Sequence, residues 1–221
     1  MTASSDNSEP LGQIRLYCAA HANCCDRVRW SLDYKRVSYA LVDLDQPHDA
    51  AHFASISPFG RIPVIEIEGI ALTESMAIVE LLEELHPSPP LNASDPTTRA
   101  RVREVYETVN SSIHPVQNGG VVRHFRPELS GPEVRQVRAD WIASKLLKLE
   151  SRLWLNTGLA IGSSFSLADI FVAAIFHKGL SLGINPRQIP RFAVHWSFLM
   201  AFPEIRTSCP IAGPWPQPNR A

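Results

Sequence analysis

Apolar and polar positions alternate between residues 14 and 18, with Ile14, Leu16 and Cys18 on one side, which predicts a strand. The period then changes. In "CCDRVRWSLDYK" Cys25, Val28 and Leu32 recur at helical spacing, with Asn23 as the N-cap and Asp26 three residues on. Alternation returns in "VSYALVDLD" (37–45), a second strand. A β-α-β unit has a right-handed crossover, so this one predicts a parallel pair. In residues 56–85, "PVIEI" reads as a strand, "EG" as a tight turn and "ALT" as a short strand. "ESMAIVELLEEL" follows as an amphipathic helix, with Met76, Val79, Leu82 and Glu83 stepping round it.

"HPSPPLNAS" is too rich in proline for a helix or a central strand, so residues 87–94 read as a linker. Everything after it has helical periodicity. Asp95 caps and Pro96 opens a helix running to His114, and a second long helix spans 131–154. A third, "SLADIFVAAIFHKGL", is nearly all apolar and therefore buried, and a fourth covers 190–202. Domains are expected at 13–86 and 95–221, preceded by a polar, disordered tail at 1–12.

Composition narrows the function. The chain has 221 residues, is 45% hydrophobic and 19% charged, and carries a net charge of −1. That balance gives no reason to expect nucleic acid or an anionic membrane surface as partner. No apolar run is long enough to span a bilayer, and the polar start does not resemble a signal peptide. Four cysteines (Cys18, Cys24, Cys25, Cys209) make no disulfide framework, and no Cys/His cluster has zinc spacing. These features predict a reduced, cytoplasmic, metal-free protein.

The sharpest chemical motif is "RIPVI" followed by "LTES". A proline opening a strand marks an edge or a bend. A cis peptide at Pro63 would turn the Ile62 amide and carbonyl toward an open edge, where an extended peptide can add as a strand. Glu74 and Ser75 then begin a helix, whose free N–H groups suit a carboxylate. Alone, Pro63 is more simply a turn former and Ser75 a cap. Together, after a β-α-β unit, they describe a site for a small acidic peptide.

Here the chain resembles the glutathione transferases: a thioredoxin-like α/β N-terminal domain followed by an all-α C-terminal domain. "SLADI" matches the start of that family's buried helix, with Ser166 and Asp169 forming a capping box. "CCDRVRW", "SPFGRIPVI", "LTESMAIVELLEELHP", "DPTTRARVRE", "IHPVQN" and the closing "CPIAGPWPQP" make it similar to the zeta class, which includes maleylacetoacetate and maleylpyruvate isomerases. The likeness covers nearly all of residues 14–218. It implies glutathione as cofactor, a small electrophile as substrate and a homodimer. Ile62 would pair with the cysteinyl part of glutathione beside Arg61 and Pro63, and Glu74 and Ser75 would hold its γ-glutamyl end. His114 and Gln117 would face the glutathione or the substrate from across the cleft. The turn before the first helix would hold the glutathione sulfur, making Asn23 and Cys24 the catalytic candidates. His21, His177 and Ser181 would line the substrate pocket.

Two departures from the zeta pattern matter. Ala22-Asn23-Cys24-Cys25 stands where the family has Ser-Ser-Cys-Ser, so the first serine's hydroxyl is gone while Asn23 still offers an amide donor. An arginine that the isomerases direct at a substrate carboxylate falls near Ser181, with His177 and Lys178 the neighbouring basic residues. A doubly acidic substrate is on this reading less well served. Asn23 reads equally as a cap and as a donor to the thiolate, and Cys25 reads as a small buried hydrophobe. Several functions stay open: cis–trans isomerisation, release of a stable glutathione conjugate, or binding without turnover. A glutaredoxin-like role for Cys24 is a further one, marked by a mixed disulfide on that thiol.

Overall fold

The computed structural model describes residues 14–47, 49–154 and 157–212. The predicted tail at 1–12 and most of the closing proline-rich motif lie outside them. The order of elements begins β1 (Ile14–Cys18), α1 (Asn23–Tyr34), β2 (Tyr39–Asp43), α2 (Ala50–Ile56), β3 (Val64–Ile67), β4 (Ile70–Thr73) and α3 (Ser75–Leu85). The strands lie in the order β2-β1-β3-β4. β1 and β2 are parallel, as the crossover requires, with Ile14 beside Tyr39, and the other two pairings are antiparallel. The predicted "EG" turn joins β3 to β4 with Glu68 at φ 50 and Gly69 at φ 77, the primed hairpin geometry that matches strand twist.

Three expectations need correction. Pro63 marks a bend rather than an edge, because β3 lies between β1 and β4 inside the sheet. Asn23 is not the N-cap of α1; Ala22 occupies that position, and Asn23 is the first helical residue. The short helix α2, capped by Asp49 through the His52 amide, falls in a stretch with no predicted element.

The rest is helical: α4 (Pro96–Glu107), a wider π-helical turn (Thr108–Ile113), α5 (His114–Gln117), α6 (Gly119–Phe125), α7 (Gly131–Leu149), α8 (Leu167–Leu182), α9 (Pro190–Met200) and α10 (Pro203–Ser208). The predicted helix to His114 is thus three pieces in succession, and α6 and α10 are additional to the sequence reading. α8 is the buried core of this half. Its Ser166–Asp169 capping box forms, and Asp169 also accepts the Ala160 amide at 2.7 Å. The helix α1 joins sheet and helices. Cys25, Val28 and Leu32 pack in the core, while Trp30 meets Phe165 and Trp196. The linker is tied down by Glu83, which accepts the Leu91 and Asn92 amides and pairs with buried Lys35 at 2.5 Å.

Candidate active site between the sheet and the helices

A cleft of about 750 Å³ opens between the start of α1, the loop before β3, the start of α3 and the helices α5 to α8. It brings together His21, Asn23, Cys24, Arg61, Ile62, Pro63, Glu74, Ser75, His114 and Gln117. His177 and Ser181 fall outside it, lining a small neighbouring cavity with Asp26, Lys178 and Ile211. Asn110, Ser111, Asn118, Gly119 and Arg138 enter the cleft without having been expected there, and so does Lys178, which the sequence offered as a basic neighbour of Ser181. A larger groove of about 1120 Å³ lies by Asp33, Tyr39, Glu204 and Cys209, but none of the predicted site residues lines it.

The sheet-side wall is set by backbone. The Ile62–Pro63 peptide is cis. Ser57 holds the preceding loop, accepting the Arg61 amide at 2.9 Å and donating to the Arg61 carbonyl at 2.8 Å. Glu74 takes φ 71, an unusual conformation for a residue with a β-carbon, and it delivers buried Ser75 to the first position of α3. Non-glycine residues held so are common where a ligand is gripped.

Beneath this wall lies Arg27, fully buried, with its guanidinium 4.5 Å from the centre of the Phe171 ring. It donates to Asn23 Oδ1 (3.3 Å), Ser75 Oγ (3.4 Å) and Asn110 Oδ1 (3.1 Å), three residues of the cleft. Burial lowers its pKa to about 10, so it remains charged at neutral pH. Among the described residues no carboxylate lies within 4 Å of it.

That cation fixes the neighbouring proton positions. A guanidinium only donates, so Asn23 must turn its oxygen toward Arg27. The same oxygen lies 2.9 Å from His114 Nδ1, which therefore carries the proton and donates. Gln117 Nε2 lies 3.0 Å from that nitrogen, and since two donors cannot share it, a protonated Nδ1 requires the Gln117 amide to be turned over, with its otherwise unpartnered Oε1 toward Nδ1–H. Asn23 is left with an N–H₂ group that is buried and has no partner, on a residue of the cleft. Such a group is costly unless something accepts from it.

Cys24 is not a ready nucleophile. Its hydrogen bond with Cys25, then burial, push its thiol well above the ordinary cysteine range. It stays protonated at neutral pH and donates to the Ile62 carbonyl at 3.3 Å. Cys25 is buried in the core, as a small hydrophobe would be.

Comparison with known proteins agrees with this architecture. Residues 16–90 match the glutathione S-transferase N-terminal domain. Maleylacetoacetate isomerase of Rattus norvegicus is 32% identical over 92% of this chain and 95% of its own length. That of Pseudomonas aeruginosa is 30% identical over 90% of this chain and its whole length. Among solved structures, maleylacetoacetate isomerase of Anaeromyxobacter dehalogenans, with bound dicarboxyethyl glutathione and citrate in the active site, superposes with a TM-score of 0.78. It is 29% identical and covers 95% of this chain and 96% of that one. The same protein has also been crystallised with glutathione in its active site. The chain belongs to the zeta class of the glutathione S-transferase family.

Proposed function

We propose that this protein is a glutathione-dependent cis–trans isomerase of a conjugated maleyl or enone substrate. The observation that carries the reading is the unpartnered N–H₂ group of Asn23, held in orientation by Arg27 and His114 at the turn where the family holds the glutathione sulfur. The residues present fit glutathione: Ile62 has a backbone amide beside a cis proline, and Ser75 opens a helix whose free N–H groups suit a carboxylate. When bound, glutathione supplies the nucleophilic sulfur, whose addition to a cis double bond leaves a single bond that rotates before the sulfur departs and a trans double bond reforms.

The chain's part is electrostatic and positional. Asn23 Nδ2 donates to the sulfur and holds it as thiolate, in place of the serine hydroxyl lost at Ala22. The buried charge of Arg27 behind Asn23 favours an anion at that point. Cys24 contributes an S–H donor rather than a second nucleophile. We also read the protein as a cytoplasmic homodimer. Its four cysteines are free thiols, as in a reducing compartment, and Phe59 and Ile70 stand 87% and 61% exposed near the sheet. Among the described residues no helix is long and apolar enough to cross a membrane.

Incubation with glutathione and a cis-configured maleyl ketone tests the activity. A trans product of unchanged mass, requiring only catalytic glutathione, is expected. A product heavier by one glutathione would make the protein a conjugating transferase instead. Glutathione binding without either product would leave it a binding protein.

A further inference from the structure

The wall that presents Arg61 and Ile62 follows an element too short to stand alone. The helix α2 has seven residues, none of them buried, and a helix of that length is not stable in water by itself. It runs directly into the turn at 57–61. Ser57 closes that turn through its two bonds with Arg61, and its carbonyl accepts the Gly60 amide at 2.8 Å. Helix and turn therefore move as one piece, and whatever holds α2 also places the wall.

The holding is done by polar side chains on one face of the sheet. Glu66 is fixed inside β3, with Arg15 beside it on β1 and Ala71 beside it on β4. Arg15 and Tyr17, two apart on β1, share its face, and both donate to Glu66: Tyr17 through its hydroxyl, Arg15 through Nη1 at 3.2 Å. Burial pushes the Glu66 pKa up, but the bonds from Tyr17 and His52 hold it below the ordinary carboxylate range. From α2, His52 Nε2 stands 2.9 Å from Glu66 Oε1. An ionised carboxylate only accepts, so Nε2 carries a proton and donates. The Tyr17 ring adds tilted contacts to His52 and Phe53, with centroids 6.1 and 6.0 Å away. The side chains of His52 and Glu66 are 35% and 21% exposed, so their link adds little to global stability, and its effect is local.

We propose that His52 is a positioning residue for glutathione: by donating to Glu66 it holds α2 against the sheet, and so keeps Arg61 and Ile62 where the cysteinyl part of the ligand pairs. This rests on the glutathione-dependent reading above and adds to it a contact that sets glutathione affinity from outside the cleft. Opening the link leaves β3 paired on both sides, between β1 and β4. It frees α2 and the turn after it to take other placements, and only the fraction of molecules in the tethered one binds at full strength. The effect belongs to binding and not to chemistry, since Asn23, Arg27 and His114 stand on α1 and α5.

Calorimetric titration of glutathione tests this without turnover. His52→Ala should bind roughly 3- to 10-fold more weakly than wild type. His52→Gln, whose amide can still donate to Glu66, should recover most of the loss. Glu66→Ala should weaken binding at least as much, and the double variant no further than Glu66→Ala alone, because both substitutions remove one link. In steady-state kinetics the glutathione KM should rise by the same factor with kcat unchanged. Hydrogen exchange gives a readout without ligand. The amides of Phe53 and Ser57, which bond to the Asp49 and Phe53 carbonyls, should exchange roughly 3- to 10-fold faster in His52→Ala, while those of β1 and β3 stay as they were. Equal weakening by His52→Ala and His52→Gln, additive effects of the two substitutions, or unmoved exchange would overturn the proposal. Weaker binding in His52→Ala, in a protein that isomerises nothing, would keep the role of His52 and discard the isomerase reading. Isomerisation with an unchanged glutathione KM in His52→Ala would do the reverse. A wild-type protein that binds no glutathione would overturn both.

Discussion

Asn23 lies one residue inside the helix it was expected to cap, and Arg27, four residues on, gives the reason. Residues four apart share a helix face, so an Asn-x-x-x-Arg pair can close only when both are helical. The spacing is visible in the sequence. Its consequence is not, because His114, which completes the arrangement, is 91 positions away and arrives only through tertiary packing. With its oxygen committed twice, Asn23 has a single remaining role toward a ligand, which is to donate. Asn23→Ala should therefore raise the pKa of bound glutathione's thiol by roughly one, the effect of one hydrogen bond worth about 1–1.5 kcal/mol. Thiolate absorbance followed against pH measures this directly. An unmoved titration would reduce Asn23 to a structural link between Arg27 and His114.

The helix α8 is the element the sequence describes most fully. Its start carries a serine and an aspartate at capping-box spacing, its body is apolar on all sides, and Gly183 ends it with φ 104. The extra duty of Asp169 is hidden from local pattern. Besides Ser166, it accepts the Ala160 amide from a loop nine residues earlier, and it lies 3.5 Å from buried His195 of α9. Asp169→Ala would leave the Ser166 and Ala160 amides buried without acceptors, so a loss of about 2–4 kcal/mol in urea unfolding is expected. A loss under about 1 kcal/mol would mean that the loop finds other acceptors. The helix α7 shows the opposite case. Its length follows from periodicity, but "VRQVRADW" does not reveal which arginine enters the cleft, since that depends on how α7 crosses α5 and α6. The same holds for the π-helical turn at 108–113, which puts Asn110 within reach of Arg27.

At the scale of the molecule, α1 is the piece that makes one body of sheet and helices, and it does so with polar residues. Nine of its twelve residues are buried, among them Asn23, Asp26, Arg27, Arg29 and Ser31. Periodicity found the apolar face of Cys25, Val28 and Leu32 and gave no account of the other face, although polar residues ordinarily face solvent. That face instead packs against α8, and its groups bear the cost of leaving water. Burial raises the Asp26 pKa to about 6, with Arg29 at 3.9 Å and Lys178 as the main opposing charges. For an acid whose pKa is higher in the folded state, stability is lost as pH rises from the unfolded value, near 4, to the folded one, near 6. About two pKa units correspond to roughly 3 kcal/mol, absent at pH 4 and complete above pH 7. Asparagine keeps the shape of the protonated form and never ionises. Wild type and Asp26→Asn should therefore unfold at nearly the same denaturant concentration at pH 4. At pH 7.5 the variant should be more stable by about 1–3 kcal/mol, the lower figure allowing for the lost attraction to Arg29 and Lys178. Taking the difference between the two proteins at each pH removes the opposing contribution of buried His195, whose pKa is lowered by the same kind of burial. A variant less stable than wild type at pH 7.5 would show that attraction to Arg29 and Lys178 outweighs burial at the junction of sheet and helices.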